Sequence, residues 1–274
     1  MKNENTVCGR IKLWKWILLF VGGSFLFLIF MAFAEAIPLM LQERGKTTGM
    51  GIASLVTGSI MLGLWACWIR VTEKRWPSEL GLSGFPKSMG LGAVVGFGMF
   101  FVITLILCLC GMYHFEGINS NVLSLLAPFC FFYVIAVCEE ILFRGFIFRM
   151  IDDRFGLWPA IIVSAIIFGF VHISNDNATV WSSVSIAIEA GIMLALAYKY
   201  SRDLWLPIAI HWAWNFSQGN IFGFAVSGND AGKTLIQATV SGPDLITGGS
   251  FGPEASVVAA VLGLIVAWLF YRKK

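Results

Sequence analysis

The sequence predicts an all-α, polytopic integral membrane protein with about eight transmembrane helices enclosing a polar intramembrane cavity. Three observations predict it. Of the 274 residues, 58% are hydrophobic and only 13% charged, where soluble domains carry about 25% charged residues. Eight apolar runs recur along the chain, most of them long enough to cross about 30 Å of hydrocarbon as helices. The ionisable residues that do fall inside these runs sit at helical spacing, so they can share a face turned away from lipid.

The runs in order are about 13–34, 48–70, 89–112, 121–150, 157–173, 180–199, 203–224 and 254–270. The first follows Lys2, Arg10, Lys12 and Lys15. Its core from Ile17 to Met31, followed by Ala32-Phe33-Ala34, also has the form of a signal peptide with an A-x-A site. Its length favours a retained helix over cleavage at about residue 34. Between the second and third runs, Arg70 to Ser88 reads as a polar surface connector containing Lys74, Arg75, Trp76 and Pro77, and 225–253 reads as a Gly-rich connector. No internal repeat or soluble domain interrupts the chain, so 1–274 reads as one membrane domain.

Charge placement orients it. With the N-terminus cytoplasmic, most of the 19 basic residues lie in cytoplasmic loops; Arg44, Lys46 and Lys233 lie opposite and Arg144 within the membrane. That bias places both termini in the cytoplasm, in a cell (plasma) membrane. The net charge of +3 is too small and dispersed to suggest nucleic acid. The six cysteines, Cys8, Cys67, Cys108, Cys110, Cys130 and Cys138, have no CxxC spacing and read as small buried hydrophobes.

The chemistry gathers in the fourth run, at Cys138-Glu139-Glu140-Ile141-Leu142-Phe143-Arg144. Glu140 and Arg144 are four residues apart on one helix face, acid first, the favourable order for an ion pair. Glu139 points about 100° away and is left without a local partner, as a general base requires. The fifth run adds Phe168 and His172 and the seventh His211 and Asn215, each pair at i, i+4. Counted from the cytoplasmic helix ends at 1.5 Å per residue, Glu139, His172 and His211 reach comparable depths. A general base, two imidazoles and an amide can supply an activated water, a proton donor and an oxyanion donor, the needs of amide hydrolysis. Taken singly, each residue also fits structural glue. Glu189, midway along the sixth run, reads as a core polar contact, and His114 as incidental.

Glu-Glu-xxx-Arg, Phe-xxx-His and His-xxx-Asn, in this order on successive helices, resemble the three motifs of the CAAX-protease and bacteriocin-processing intramembrane proteases, also called abortive-infection proteins. The resemblance covers about 75–270. It implies an eight-helix membrane bundle in which Glu139 with His172 activates a water and His211 with Asn215 stabilises the oxyanion. Glu140 and Arg144, with Phe168 in the second motif, would support that geometry. Members have been described as metalloproteases, and zinc held by His172, His211 and Glu139 is the alternative to a metal-free, glutamate-activated water, which is favoured here because no HExxH is present.

The reading is therefore a membrane endopeptidase acting on a membrane-embedded or lipidated peptide or protein. Two other classes compete. One is a non-proteolytic bacteriocin-immunity or regulatory membrane protein; the other is a proton-coupled transporter using Glu139, Glu189 and the histidines as a relay, disfavoured by the lack of inverted repeats.

Overall fold

The computed structural model describes residues 11–230 and 232–273. Cys8, Lys2, Arg10 and Lys274, which entered the cysteine and charge readings, lie outside the described residues. The helices are α1 (Leu13–Glu43), α2 (Thr47–Thr72), α3 (Phe85–Leu109), α4 (Leu126–Glu140), α5 (Arg149–Phe155), α6 (Leu157–Val171), α7 (Val180–Ile186), α8 (Met193–Ser201), α9 (Trp205–Phe216), α10 (Asp244–Thr247) and α11 (Val257–Arg272). Six helical stretches are long and apolar enough to cross a membrane: Leu13–Glu43, Thr47–Thr72, Phe85–Leu109, Val122–Phe155, Leu157–Ser174 and Val180–Ser201. The protein is thus an all-α polytopic membrane bundle, with six such stretches among the described residues where sequence reading expects eight. The seventh and eighth expected spans are the shorter α9 and α11. Large apolar side chains face outward along the long helices, among them Leu18, Phe25, Phe33, Ile52, Val94 and Ile162. Such a surface suits lipid and not water.

Several local expectations are corrected. Helix α1 runs through Ala32-Phe33-Ala34 to Glu43, nine residues beyond the expected end at 34, so Glu35 belongs to a helix and not to a loop. Three stretches expected as plain α-helix contain π-helical turns: Ile141–Phe148 after α4, Ala187–Ile192 between α7 and α8, and Ser217–Ile221 after α9. Wider turns of this kind concentrate at functional sites, and here they follow Glu139 and Glu140, enclose Glu189 and follow Asn215. The loop between the third and fourth runs pairs with the Gly-rich connector as a small antiparallel sheet, β1 (Tyr113–Ile118) with β2 (Ile236–Val240), in register Tyr113 to Val240 and Ile118 to Ile236. Backbone groups in loops that no helix can satisfy find partners this way. His114 lies on β1, with its Nε2 3.1 Å from Ser241 Oγ, away from the other histidines. Among the described cysteines, Cys67, Cys108 and Cys110 are exposed, Cys130 is half-buried and only Cys138 is fully buried, so they are not uniformly interior; all of these are free.

Element ends follow local chemistry. Gly156, at φ 90°, turns the chain between α5 and α6 in a conformation that favours glycine. Thr179 and Ser182 form a reciprocal capping box at the start of α7, with bonds of 3.0 and 2.8 Å. Helix α9 lies against α3 through Gly92 and Gly96. A Cβ at Gly96 would sit 2.3 Å from Ile210 O and 3.0 Å from Trp214 N, backbone atoms that flank His211. Gly96→Ala is therefore expected to destabilise the protein by about 1–3 kcal/mol, read as a lowered unfolding midpoint in detergent. Gly98→Ala, with nothing within 4 Å of its Cβ, is the control and is expected to be neutral.

The connector before α3 is not purely a surface segment, because Glu79 is buried. Arg75 grips it at 2.6 and 2.9 Å, and Arg149 Nη2 bonds Glu73 at 2.5 Å beside it. Burial alone would raise the Glu79 carboxyl, but the Arg75 hydrogen bond and the charges of Arg149 and Arg75 hold it below its ordinary value. A carboxyl depressed in the folded state contributes stability above its unfolded pKa of about 4.3 and loses it as pH falls through the folded value. Unfolding midpoints measured across acid pH should therefore fall less steeply below about pH 4 for Glu79→Gln than for wild type.

Candidate active site

The site is assembled around Arg144. Its Nη1 donates to Glu140 Oε1 at 2.8 Å and its Nη2 to the carbonyl of Ala190 at 3.0 Å. Both side chains of the ion pair are essentially inaccessible, at 1% and 0% exposure, so the pair depends on its own geometry because no solvent shares the charge. The guanidinium carbon lies 4.1 Å from the centre of the Phe168 ring, a cation–π seat. Phe168 also meets Phe143, His172 and His211 edge to face, with ring centres 5.0, 5.2 and 6.2 Å away. The Phe168 of the second motif is thus the plate against which the other two motifs are set.

The same carboxylate oxygen that binds Arg144 accepts a hydrogen bond from His211 Nδ1 at 2.9 Å. With Nδ1 used in this way, Nε2 of His211 faces Glu139, 3.9 Å from Oε2, which is too long for a direct hydrogen bond. His172 is oriented differently. Its Nδ1 is 2.8 Å from Phe168 O, and a carbonyl can only accept, so Nδ1 carries a proton. In the neutral imidazole Nε2 then holds the lone pair. Glu139 is 14% exposed, and its Oε2 accepts no hydrogen bond from the protein. Glu139, His172, His211, Asn215 and Phe168 all line one cavity of about 730 Å³. Glu140 and Arg144 sit behind it.

The structure brings together every residue singled out in the three motifs. It also adds five acidic residues on the same cavity, Glu35, Glu43, Glu189, Asp230 and Glu254, of which only Glu189 drew attention in the sequence. Glu189 is 2% exposed, and its Oε2 has no protein partner, so the expected core polar contact is not made by that oxygen. Glu35 arrives from α1, while Glu254 and Asp230 come from the loops between α9 and α11. Glu254 is fixed by the backbone N of Ser227 at 2.7 Å and its hydroxyl at 3.2 Å. Glu35 could have been suspected as an acid in an otherwise apolar segment; the placement of Glu254 depends on how the connector folds back. Asn175 and Asn177 hold that connector against the end of α6, donating to Ser227 O and Gly228 O at 2.9 and 3.2 Å.

Among the described residues, no three His, Cys, Asp or Glu side chains gather closely enough to hold a metal ion.

Comparison with known proteins bears on the same segment. Residues 120–217 match the family of type II CAAX prenyl endopeptidase Rce1-like proteins. The chain is 28% identical over 75 residues to the protein named "Putative membrane peptidase YdiL" of Bacillus subtilis (strain 168), a match covering 27% of this chain and 28% of that protein. The chain thus aligns with little more than a quarter of that relative's length. No solved structure matches. The matched residues 120–217 contain all three motifs, and over them the chain is similar to the Rce1-like type II CAAX prenyl endopeptidases, the family its motifs resemble.

Proposed function

We propose that the protein is a CAAX-type membrane endopeptidase that hydrolyses a peptide bond of a membrane-embedded or lipidated peptide with a water activated by Glu139. The observation that carries this reading is the convergence of Glu139, His172, His211 and Asn215 on one cavity, with Glu140 and Arg144 bonded behind it. Glu139 takes a proton from the water as its oxygen attacks the scissile carbonyl carbon. Nε2 of His172, its tautomer set by Phe168 O, orients that water as an acceptor. The new oxyanion accepts hydrogen bonds from the Asn215 amide and from Nε2 of His211 in its doubly protonated form, held in place by Glu140. The C–N bond then breaks, and protonated Glu139 returns its proton to the leaving amine. The water has then been divided between the two products and Glu139 is regenerated. The termini are assigned to the cytoplasmic side of a plasma membrane on the distribution of basic residues.

The test is cleavage of a panel of membrane-associated peptides, prenylated and unprenylated, by purified protein in detergent, with and without a chelator. Wild type is expected to cut with equal rates in both conditions. His172→Ala is expected to lose about 10²-fold or more in kcat/KM while keeping its unfolding midpoint. Equal cleavage by folded His172→Ala would remove that residue from the chemistry, and loss of cleavage on chelation would overturn the metal-free mechanism.

A further inference from the structure

The acidic lining of the cavity exceeds what the proposed hydrolysis uses. Glu35, Glu43, Glu139, Glu189, Asp230 and Glu254 all border it, and no lysine or arginine is among the described residues that do. Only one of these six is needed as a base. Three are also incompletely satisfied: Glu35 Oε1, Glu139 Oε2 and Glu189 Oε2 are buried and accept no hydrogen bond from the protein. These three oxygens come from α1, α4 and the π-turn between α7 and α8, so three separate helical stretches contribute to the same unmet demand. The nearest arginine cannot meet it, because Arg144 is already bonded to Glu140 and to Ala190 O.

Buried carboxylates that the protein leaves without donors are costly unless a cation or another donor joins them. We propose that this acidic lining is a specificity site for a lysine or arginine side chain of the peptide substrate, held next to the scissile bond by Glu189 and Glu35. The inference rests on the peptidase reading for its substrate, but the binding it describes does not need hydrolysis. Ammonium and guanidinium groups bring several N–H donors and no acceptor, matching carboxylate oxygens on different walls. Glu189 is 2% exposed, so a charged partner there would be almost fully desolvated and the selectivity correspondingly strong. The same field disfavours a substrate carboxylate inside the cavity, since like charges repel strongly where water is scarce. Glu254 differs in being held by Ser227, and it contributes field more than direct contact.

The experiment compares binding of two fluorescent, N-terminally acetylated apolar peptides, identical except that one central lysine is free or Nε-acetylated, to full-length protein in detergent. Wild type is expected to bind the free-lysine peptide about tenfold tighter, the size of one charge-assisted hydrogen bond. Glu189→Gln and Glu35→Gln, placed on different helices so that misfolding of one leaves the other, should each narrow that ratio while leaving the affinity for the acetylated peptide within about twofold. A third peptide, with a free N-terminus and no lysine, separates an α-amino group from a side chain, and preference for it alone overturns the assignment. Equal binding of the charged and acetylated peptides, or a preference that neither variant moves, also overturns it. Cleavage is scored in parallel. Hydrolysis without charge preference sinks the specificity site and leaves the peptidase, whereas charge preference without hydrolysis of any peptide leaves the site and sinks the peptidase.

Discussion

Replacing Glu139 by glutamine is expected to abolish peptide cleavage, with kcat/KM falling by about 10²–10⁴-fold, the usual contribution of a positioned general base. The expectation rests on what surrounds the side chain. Its neighbour Glu140 is committed to Arg144 and His211 through one oxygen, at 2.8 and 2.9 Å. Glu139 Oε2 faces the cavity with no protein partner. Glutamine keeps the shape and a hydrogen-bonding oxygen but cannot take a proton from water. The structure should survive the exchange, because no hydrogen bond to that oxygen is lost. The measurement is single-turnover cleavage beside an unfolding scan. Cleavage at the wild-type rate by folded Glu139→Gln would refute the mechanism, and would transfer interest to Glu189 or Glu35 as the base.

The largest effect on stability should come from Arg144. Arg144→Ala would leave Glu140 buried at 0% exposure with its charge answered only by His211. Breaking a buried pair from one side costs about 3–5 kcal/mol. The mutation also removes the donor to Ala190 O and the cation over Phe168, loosening three elements at once. The double variant Glu140→Leu/Arg144→Leu is expected to recover much of the lost stability, since replacing a whole buried ion pair by apolar groups is often neutral or better. It should not recover cleavage, because His211 Nδ1 loses the acceptor that aims its ring. Thermal unfolding in detergent reads the first effect and peptide cleavage the second. A loss within about 0.5 kcal/mol for Arg144→Ala, the range of ordinary surface changes, would mean that the pair does not organise the site. Restored cleavage in the double variant would remove His211 from the chemistry.

The contrast between these variants separates positioning from reaction. Glu140 and Arg144 form a bonded scaffold behind the cavity, and Phe168 ties it to the cavity wall through its ring contacts. Glu139, His172 and Asn215 are presented to the cavity. His211 joins the two, bonded through Nδ1 to the scaffold while Nε2 faces Glu139. A mutation in the scaffold should therefore alter stability and rate together, and one at Glu139 rate alone.

Much of this was legible in the chain itself. Apolar runs of span length and few charges determine a membrane bundle, because lipid offers no partner to a free peptide group and only hydrogen-bonded helices satisfy it. The i, i+4 spacing of Glu140 with Arg144 determines their pairing, since a helical turn brings such side chains together whatever lies around them. The spacing within Phe168-His172 and His211-Asn215 likewise places each pair on one face. Local periodicity carries this information, so no tertiary contact is needed to read it.

Other features were decided only by tertiary structure. The π-turns after Glu140 and around Glu189 leave no mark in hydrophobic periodicity, because the same apolar residues suit either helix type. The bond from His211 to Glu140 spans 71 residues, and which oxygen it takes depends on how α9 is seated against α3 through Gly92 and Gly96. Glu35 and Glu254 stand at opposite ends of the chain and meet one cavity only because α1 and the connector before α11 close over the same helices. A sequence shows which side chains are costly to bury, but the packing of distant segments decides where they are buried and what faces them.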